Sequence, residues 1–450
     1  MSAQTPLSYR NLVIYEIYVR SHGPKGHISE VEKDLPRIKS LGVDIVWFMP
    51  IHPIGKLNAK GSMGCPYSIA DYTAFNPEYG TIEDFEALIK RAHELGLKVM
   101  IDVVYNHSSH DSIYLKEHPD WYHLDAQGKP VTTVPEWSDI IDLDYGSEAA
   151  PNEKLRESLI SALKQWVKLG VDGFRCDVAS IVPLSFWLRA RKEIAEINPD
   201  TIWLAETVHP GFIAHRRQNG LTAHSDSEVY QAFDITYDYD IFEVWRACAR
   251  GKLSLEHYLE FLLQQDSIYP ANYCKLRFVE NHDQPRVMAF LEKREQALAW
   301  TAFSAFTPGA FLLYAGQESG ARAKPSLFER ESIDWKNYEL QEFLSRLCQL
   351  KKDPASAGTF TIVESEPFLQ ALKQAKGADA LYGIFNVKGS RAECKVKVPD
   401  GIYKDLLSDS EIIVKNGKLE APKNATIIRL KEEALPFKPF VPACWHFQIE

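Results

Sequence analysis

Four short apolar runs in this chain each end in residues able to move protons or stabilise charge. Lys98 to Val104 carries Asp102 and leads into Asn106-His107. Gly173 to Cys176 carries Arg175 and delivers Asp177, Thr201 to Ala205 delivers Glu206, and Leu276 to Val279 delivers Glu280-Asn281-His282-Asp283. A lone carboxylate after an apolar run is most often a helix N-cap or a surface ion-pair partner. Asp, Asp, Glu and Asp at four run ends, accompanied by Arg and two His, is instead a set suited to acid/base chemistry on a neutral substrate. Glycoside hydrolysis needs such a set, because one carboxyl protonates the leaving oxygen while another attacks or stabilises the oxocarbenium-like centre. The competing reading is a phosphate-binding barrel, which would place Gly-rich ends after its last strands; Asn281-His282-Asp283 is a poor substitute.

The elements that must position these residues alternate from about residue 12 to about residue 352. Strand-type runs at Leu12 to Val19, Asp44 to Met49, Lys98 to Val104, Gly173 to Cys176, Thr201 to Ala205, near Val229 to Phe233, Leu276 to Val279 and Ala310 to Tyr314 are separated by helical stretches. In the stretch from Ile82 to Leu95, for example, Phe85, Leu88, Ile89 and Ala92 follow the i, i+3, i+4, i+7 pattern of one buried helix face. Helices are also expected at Ile28 to Leu41, Ser147 to Leu169, Pro183 to Ile197, Leu253 to Gln265, Arg294 to Phe306 and Glu339 to Leu350. Eight strand-then-helix units most naturally close into a (β/α)8 TIM barrel, with an open doubly wound sheet as the alternative. Working residues then belong at the C-terminal strand ends, where these runs deliver them.

Residues 108 to 146 break the rhythm and read as an excursion after the third strand; its Trp121, Tyr122 and Trp137 either line outer sugar sites or pack its own small core. Residues 1–107 and 147–355 would form the barrel. Residues 356–450 change to period-two runs with Asp-Gly and Asn-Gly turns: Phe360 to Val363, Ala380 to Asn386, Cys394 to Val398, Ile412 to Val414 and Ala425 to Leu430. They read as an antiparallel β-sandwich domain. The aromatic tail, with Phe437, Phe440, Trp445 and Phe447, is expected to fold back onto the body.

Composition bounds the partners. The 450 residues carry 51 Lys plus Arg against 61 Asp plus Glu, a net charge of −10 with no basic run, which is a poor match to nucleic acid. No apolar stretch approaches the ~18 residues of a membrane span. Seven scattered Cys without a C-x-x-C pair, and a start lacking a basic region followed by a long apolar one, predict reduced thiols and a cytoplasmic location.

Taken in order, Asp102-Val103-Val104-Tyr105-Asn106-His107, Gly173-Phe174-Arg175-Cys176-Asp177, Ala205-Glu206 and Phe278-Val279-Glu280-Asn281-His282-Asp283 resemble the four ordered regions of the α-amylase family, glycoside hydrolase family 13. Supporting matches are Gly42 to Pro50, Tyr67 with Asp71-Tyr72 and Tyr79-Gly80-Thr81, and Tyr314-Ala315-Gly316-Gln317-Glu318. The resemblance implies a retaining double displacement on α-1,4-linked maltooligosaccharides or maltodextrin. Asp177 would be the nucleophile, Glu206 the general acid and then base, and Asp283 the group that binds sugar hydroxyls and keeps Glu206 protonated. Tyr67, His107, Arg175 and His282 would serve the same glucosyl unit, with the Arg175 cation keeping Asp177 ionised and Asp102 holding Arg175 or the strand ends.

The sequence also departs from the family pattern. Many starch-degrading members follow the nucleophile with Thr and then a Lys-His pair; here the run is Asp177-Val178-Ala179-Ser180-Ile181, similar to members acting on α-1,6 bonds or short oligosaccharides. Asn106 matches a calcium-ligand position whose partners would come from Asp139, Asp142 or Asp144, whereas the Asp-x-Asn-x-Asp loop that some members carry after strand one is absent from Ser21 to Ser29. No cofactor is required for the chemistry, and a structural calcium is left open. An α-glucanotransferase or an α-1,6-acting oligoglucosidase would use the same residues. A silent sugar-binding scaffold would be expected to have lost one of Asp177, Glu206 and Asp283.

Overall fold

Eight short parallel strands close into a barrel in chain order: β1 (Val13–Ile17), β2 (Ile45–Phe48), β3 (Lys98–Val103), β4 (Gly173–Cys176), β5 (Ile202–Ala205), β6 (Ile235–Tyr237), β7 (Lys275–Arg277) and β8 (Ala310–Tyr314). The computed structural model describes residues 4–431 and 440–442. β8 closes on β1, with Val13 opposite Phe311 and Glu16 opposite Tyr314. All residues of β1, β2, β4, β5 and β8 are buried, because helices cover the outside and side chains fill the inside. That two-sided burial is why these strands read as continuous apolar runs rather than alternating ones.

The helices bury the stripe their periodicity predicts. Ile82–Glu94 packs Phe85, Leu88, Ile89 and Ala92 inward, and its start is fixed by a capping box: Thr81 Oγ1 accepts the Asp84 amide while Asp84 accepts the Thr81 amide. Glu153–Leu169 ends at Gly170, whose φ of +111° is the left-handed cap a glycine adopts without strain.

Two units differ from expectation. The sixth strand lies at Ile235–Tyr237, not near Val229 to Phe233; Asp226–Val229 is a helical turn, set by a capping box between Ser225 and Glu228. Tyr239–Ala249 then supplies a helix that the sequence reading lacked, ahead of Leu255–Ile268. β7 begins at Lys275, a residue that hydropathy alone excludes from a buried strand. Its ammonium is fully buried and satisfied by Asp226 and Asp240, and Arg277 on the same strand is paired with Asp238.

The excursion builds a small ladder, His107–Ser109 antiparallel to Ile140–Asp142. Beyond the barrel, β9 (Thr359–Glu364), β10 (Leu369–Gln374), β11 (Ala380–Phe385) and β12 (Ala425–Leu430) form one antiparallel sheet. One face, with Leu369, Ala371, Leu381, Phe385 and Ile427, joins the barrel core, where Phe385 packs on Phe303 and Phe306. The opposite face, with Leu372, Tyr382, Ile384 and Ile428, is covered by Cys394, Val396, Val414 and Leu419. Those covering residues come from two short ladders, Cys394–Lys395 with Lys418–Leu419 and Gly401–Lys404 with Glu411–Val414, together with the segments beside them.

β10 was not anticipated, because Leu-Gln-Ala-Leu-Lys-Gln is built from helix formers and shows no period-two alternation. Its place between two other strands overrides that propensity. Of the tail, Phe440 donates its amide to the Ile362 carbonyl (2.8 Å) and packs on the core, while Phe437, Trp445 and Phe447 lie outside the described residues. Among the described residues no helix is long and apolar enough to cross a membrane.

Candidate active site

The C-terminal ends of β3, β4 and β5 bring three carboxylates onto one cation. Asp102 and Arg175 are partners in the β3–β4 register, so their side chains emerge side by side. Arg175 Nη1 donates to Asp102 Oδ1 and Oδ2 (2.9 and 3.1 Å) and to Asp177 Oδ1 (2.8 Å), and Nη2 stands 3.0 Å from Glu206 Oε2. The guanidinium is fully buried and lies over the rings of Trp47, Tyr67 and Tyr237. Glu206 Oε2 also accepts the Val178 amide at 2.7 Å. Val178 has φ +36° and ψ +42°, a left-handed conformation that costs a β-branched residue about 1–3 kcal/mol. That twist just after Asp177 is what turns an amide toward the neighbouring carboxylate.

A second constellation faces the first. His282, from the segment after β7, stacks on Tyr67 with ring centres 5.4 Å apart and lies 2.8 Å from its hydroxyl through Nε2; the same hydroxyl donates to Asp102 Oδ2 (3.0 Å). The other nitrogen, Nδ1, is paired with the buried Glu16 of β1, and Asp283 Oδ2 lies 3.2 Å from Nε2 at the exposed edge. His107 is buried, with Asn106 Nδ2 3.2 Å from its Nδ1.

Electrostatics separate these groups. Burial pushes Glu206 up to about 7, with Arg175 opposing and the charges of Asp177 and Asp283 adding to the rise. Burial likewise lifts Asp177, to about 6, against the pull of Arg175. Burial alone would lower His282, but Asp283 and Glu16 raise it to about 9 and hold it as a cation. For His107 burial prevails, and its pKa is lowered. Burial thus raises both Asp177 and Glu206 toward neutrality, and for Glu206 that is the direction a general acid requires.

A model of the α-amylase catalytic domain matches residues 17–137 and 137–361, and one of the bacterial α-amylase C-terminal domain matches residues 372–428. The chain belongs to the α-amylase family, glycoside hydrolase family 13. It is 30% identical to the α-amylase MalA of Haloarcula japonica over 76% of its own length, but spans only 48% of that longer protein. Its fold matches the crystal structure of an α-amylase from Lactobacillus plantarum with a TM-score of 0.90 and 41% identity, covering 94% of this chain and all of that one. It also matches the maltogenic α-amylase AmyB from Thermotoga neapolitana with a TM-score of 0.82 and 35% identity, covering 94% and 99%.

Within this family member, some residues singled out at the four strand ends are spent on neighbours, Asp102 on Arg175, Asn106 on His107 and Asp142, Glu280 on Arg286 and Asn281 on Tyr239, while the others meet at one cleft. Tyr67, His107, Asp177, Glu206, His282 and Asp283 line it, whereas Arg175 lies beneath, its donors spent on carboxylates rather than presented to a ligand. Trp137 lines the cleft. Trp121 and Tyr122 instead pack the excursion, with Trp121 stacked on His118 at 3.9 Å.

The residues proposed around a calcium do not converge. Asn106 Nδ2 reaches Asp142 Oδ1 only at 3.5 Å, Asp142 is occupied by the Thr133 amide and hydroxyl, Asp139 carries the Lys60 ammonium at 2.7 Å, and Asp144 is exposed near His123. A metal would have to displace a lysine, so this donor set does not fit one. Glu16 and Lys60 went unnoticed in the sequence. Glu16 had a signal, as the lone charge in a fully buried strand; Lys60 sits in a loop without pattern.

Proposed function

We propose that the chain is a retaining α-glucan-active glycoside hydrolase that cleaves α-1,4-linked maltooligosaccharides or maltodextrin by double displacement. The observation that carries this is the placement of Asp177 and Glu206 against the two terminal nitrogens of one buried guanidinium, with Asp283 at the rim. Asp177 attacks the anomeric carbon as Glu206 gives its proton to the departing oxygen, forming a glycosyl ester and breaking the glycosidic bond. Glu206 then takes a proton from water as that water attacks the same carbon and frees Asp177. Tyr67 stacks on the glucosyl ring, His107 and His282 donate to its hydroxyls, and Asp283 accepts from them. Every step uses side chains of this chain, with no cofactor.

The cleft has two lobes. One of about 240 Å³ contains Asp177, Tyr67, His107 and His282; the other, of about 330 Å³, contains Val208, Phe212, Tyr239 and Phe242. Trp137, Val178, Glu206 and Asp283 line both. The acid sits at the junction and the nucleophile on one side only, so the first lobe takes the glycone and the second the leaving group.

Incubation with maltotriose, maltoheptaose, isomaltose and sucrose tests the reading: shorter products from the two maltooligosaccharides are expected, and cleavage of isomaltose alone would overturn the α-1,4 assignment. The apolar leaving-group lobe favours a second reading, transfer to a sugar acceptor, which would show as products longer than the substrate. A cytoplasmic place of action belongs to the same proposal, supported by the unpaired thiols of Cys65, Cys176, Cys248, Cys274, Cys348 and Cys394.

The pH dependence follows from Glu206. It must be protonated to act as acid, so kcat/KM should fall as pH rises through about 7. In Glu206→Gln this limb should vanish together with most turnover of natural substrates, and a falling limb displaced above pH 9 in the wild type would count against the assignment.

A further inference from the structure

Lys60 and Cys65 from the segment after β2, Asp139 and Ile140 from the excursion, and Leu327 and Phe328 from the segment after β8 line the glycone lobe, and none of them lines the leaving-group lobe.

The three segments are stitched together rather than merely adjacent. The Met63 amide donates to the Phe328 carbonyl (3.0 Å), the Ser62 amide to Glu329 Oε1 (2.8 Å), and the Ser62 hydroxyl to the other oxygen of Glu329. Lys60 Nζ pairs with Asp139 and donates to the Glu136 carbonyl (3.2 Å). Gly61, at φ +66°, lies so close that a Cβ there would stand 2.5 Å from Phe328 Cβ.

Beneath this seam, the fully buried Arg20 donates from Nη1 to the carbonyls of Gly64 and Leu327 (3.0 Å each) and from Nη2 to that of Met63 (3.2 Å), and it is itself anchored by Glu78. Releasing either segment would leave a buried charge without part of its hydrogen bonding, which is costly.

We propose that this seam makes the enzyme end-recognising: the glycone lobe admits the non-reducing terminus of an α-1,4-glucan and excludes internal segments, with Lys60 and Asp139 offering a donor and an acceptor to the terminal hydroxyls. The proposal rests on the α-1,4 reading above and specifies which part of such a chain the site takes.

The test compares p-nitrophenyl α-maltoheptaoside with the same compound blocked at its non-reducing end as a 4,6-O-ethylidene acetal, with all products followed by chromatography. The free compound should be cleaved and the blocked one cleaved at least ~100-fold more slowly, since the site must reject rather than merely bind the added group less well. Similar rates on both would overturn end recognition while leaving the α-1,4 reading intact; cleavage of neither would overturn that reading and the proposal with it. Removing the stitch with Ser62→Ala and Glu329→Ala together should raise turnover of the blocked compound by ~10-fold or more and change that of p-nitrophenyl α-maltoside little. An unchanged ratio of the two rates would overturn the seam as the cause.

Discussion

Asp177→Asn should lower kcat on maltotriose by about 10⁴-fold or more, the scale of losing a nucleophile that works as one unit with its acid. The amide keeps the shape and an oxygen for Arg175 Nη1, so the barrel end should not rearrange. The melting temperature should hold or rise, because the buried cluster of Asp102, Asp177 and Glu206 around one Arg loses one of its surplus negative charges. Residual turnover above about 1%, measured on protein free of wild-type carry-over, would refute the nucleophile assignment.

The second large effect is on stability. Arg175→Met removes the cation that the three carboxylates share and leaves them buried, which should cost about 3–5 kcal/mol where they are ionised. The sign with pH is definite. Asp102, Asp177 and Glu206 already have folded pKa values raised by burial to about 6, 6 and 7, so each favours the folded state less as pH climbs past its unfolded value and the group must ionise inside. Without Arg175 those values rise further. The gap in melting temperature between variant and wild type should therefore be small at pH 5 and widen toward pH 8. A gap independent of pH would mean that the loss is one of packing. Arg175→Lys should fall between the two, since one ammonium cannot present the two separate nitrogens that Asp177 and Glu206 use.

How much of this could be read from the sequence depended on whether partners were near in the chain or carried a pattern. β4, β8 and the helix Arg294–Phe306 end where their apolar runs and periodicity end. Arg175 and Asp177, two apart on a strand, were legible as a pair because alternate residues of a strand share a side. β7 and β10 were obscured for opposite reasons. Lys275 and Arg277 make β7 look like surface, and only the distant Asp226, Asp240 and Asp238 make their burial affordable. β10 has residues that prefer a helix and is held extended by its neighbours on both sides. The position after Asp177 read as a departure from the family pattern, and its role emerged only in the fold, where the turned Val178 amide meets Glu206. Lys60 with Asp139, and Glu16 with His282, join segments far apart in the chain, so no local spacing could announce them.

The sheet of β9 to β12 is apolar on both faces, and Phe385 lies against Phe303 and Phe306 of a barrel helix. That sheet is thus not a detachable accessory that could be exchanged between enzymes like a tag. It is the outer wall of the seventh βα unit, and a barrel expressed without it would present a bare aromatic patch where its own core should continue. The boundary that a reader of the sequence draws at residue 355 separates two architectures that share one apolar core.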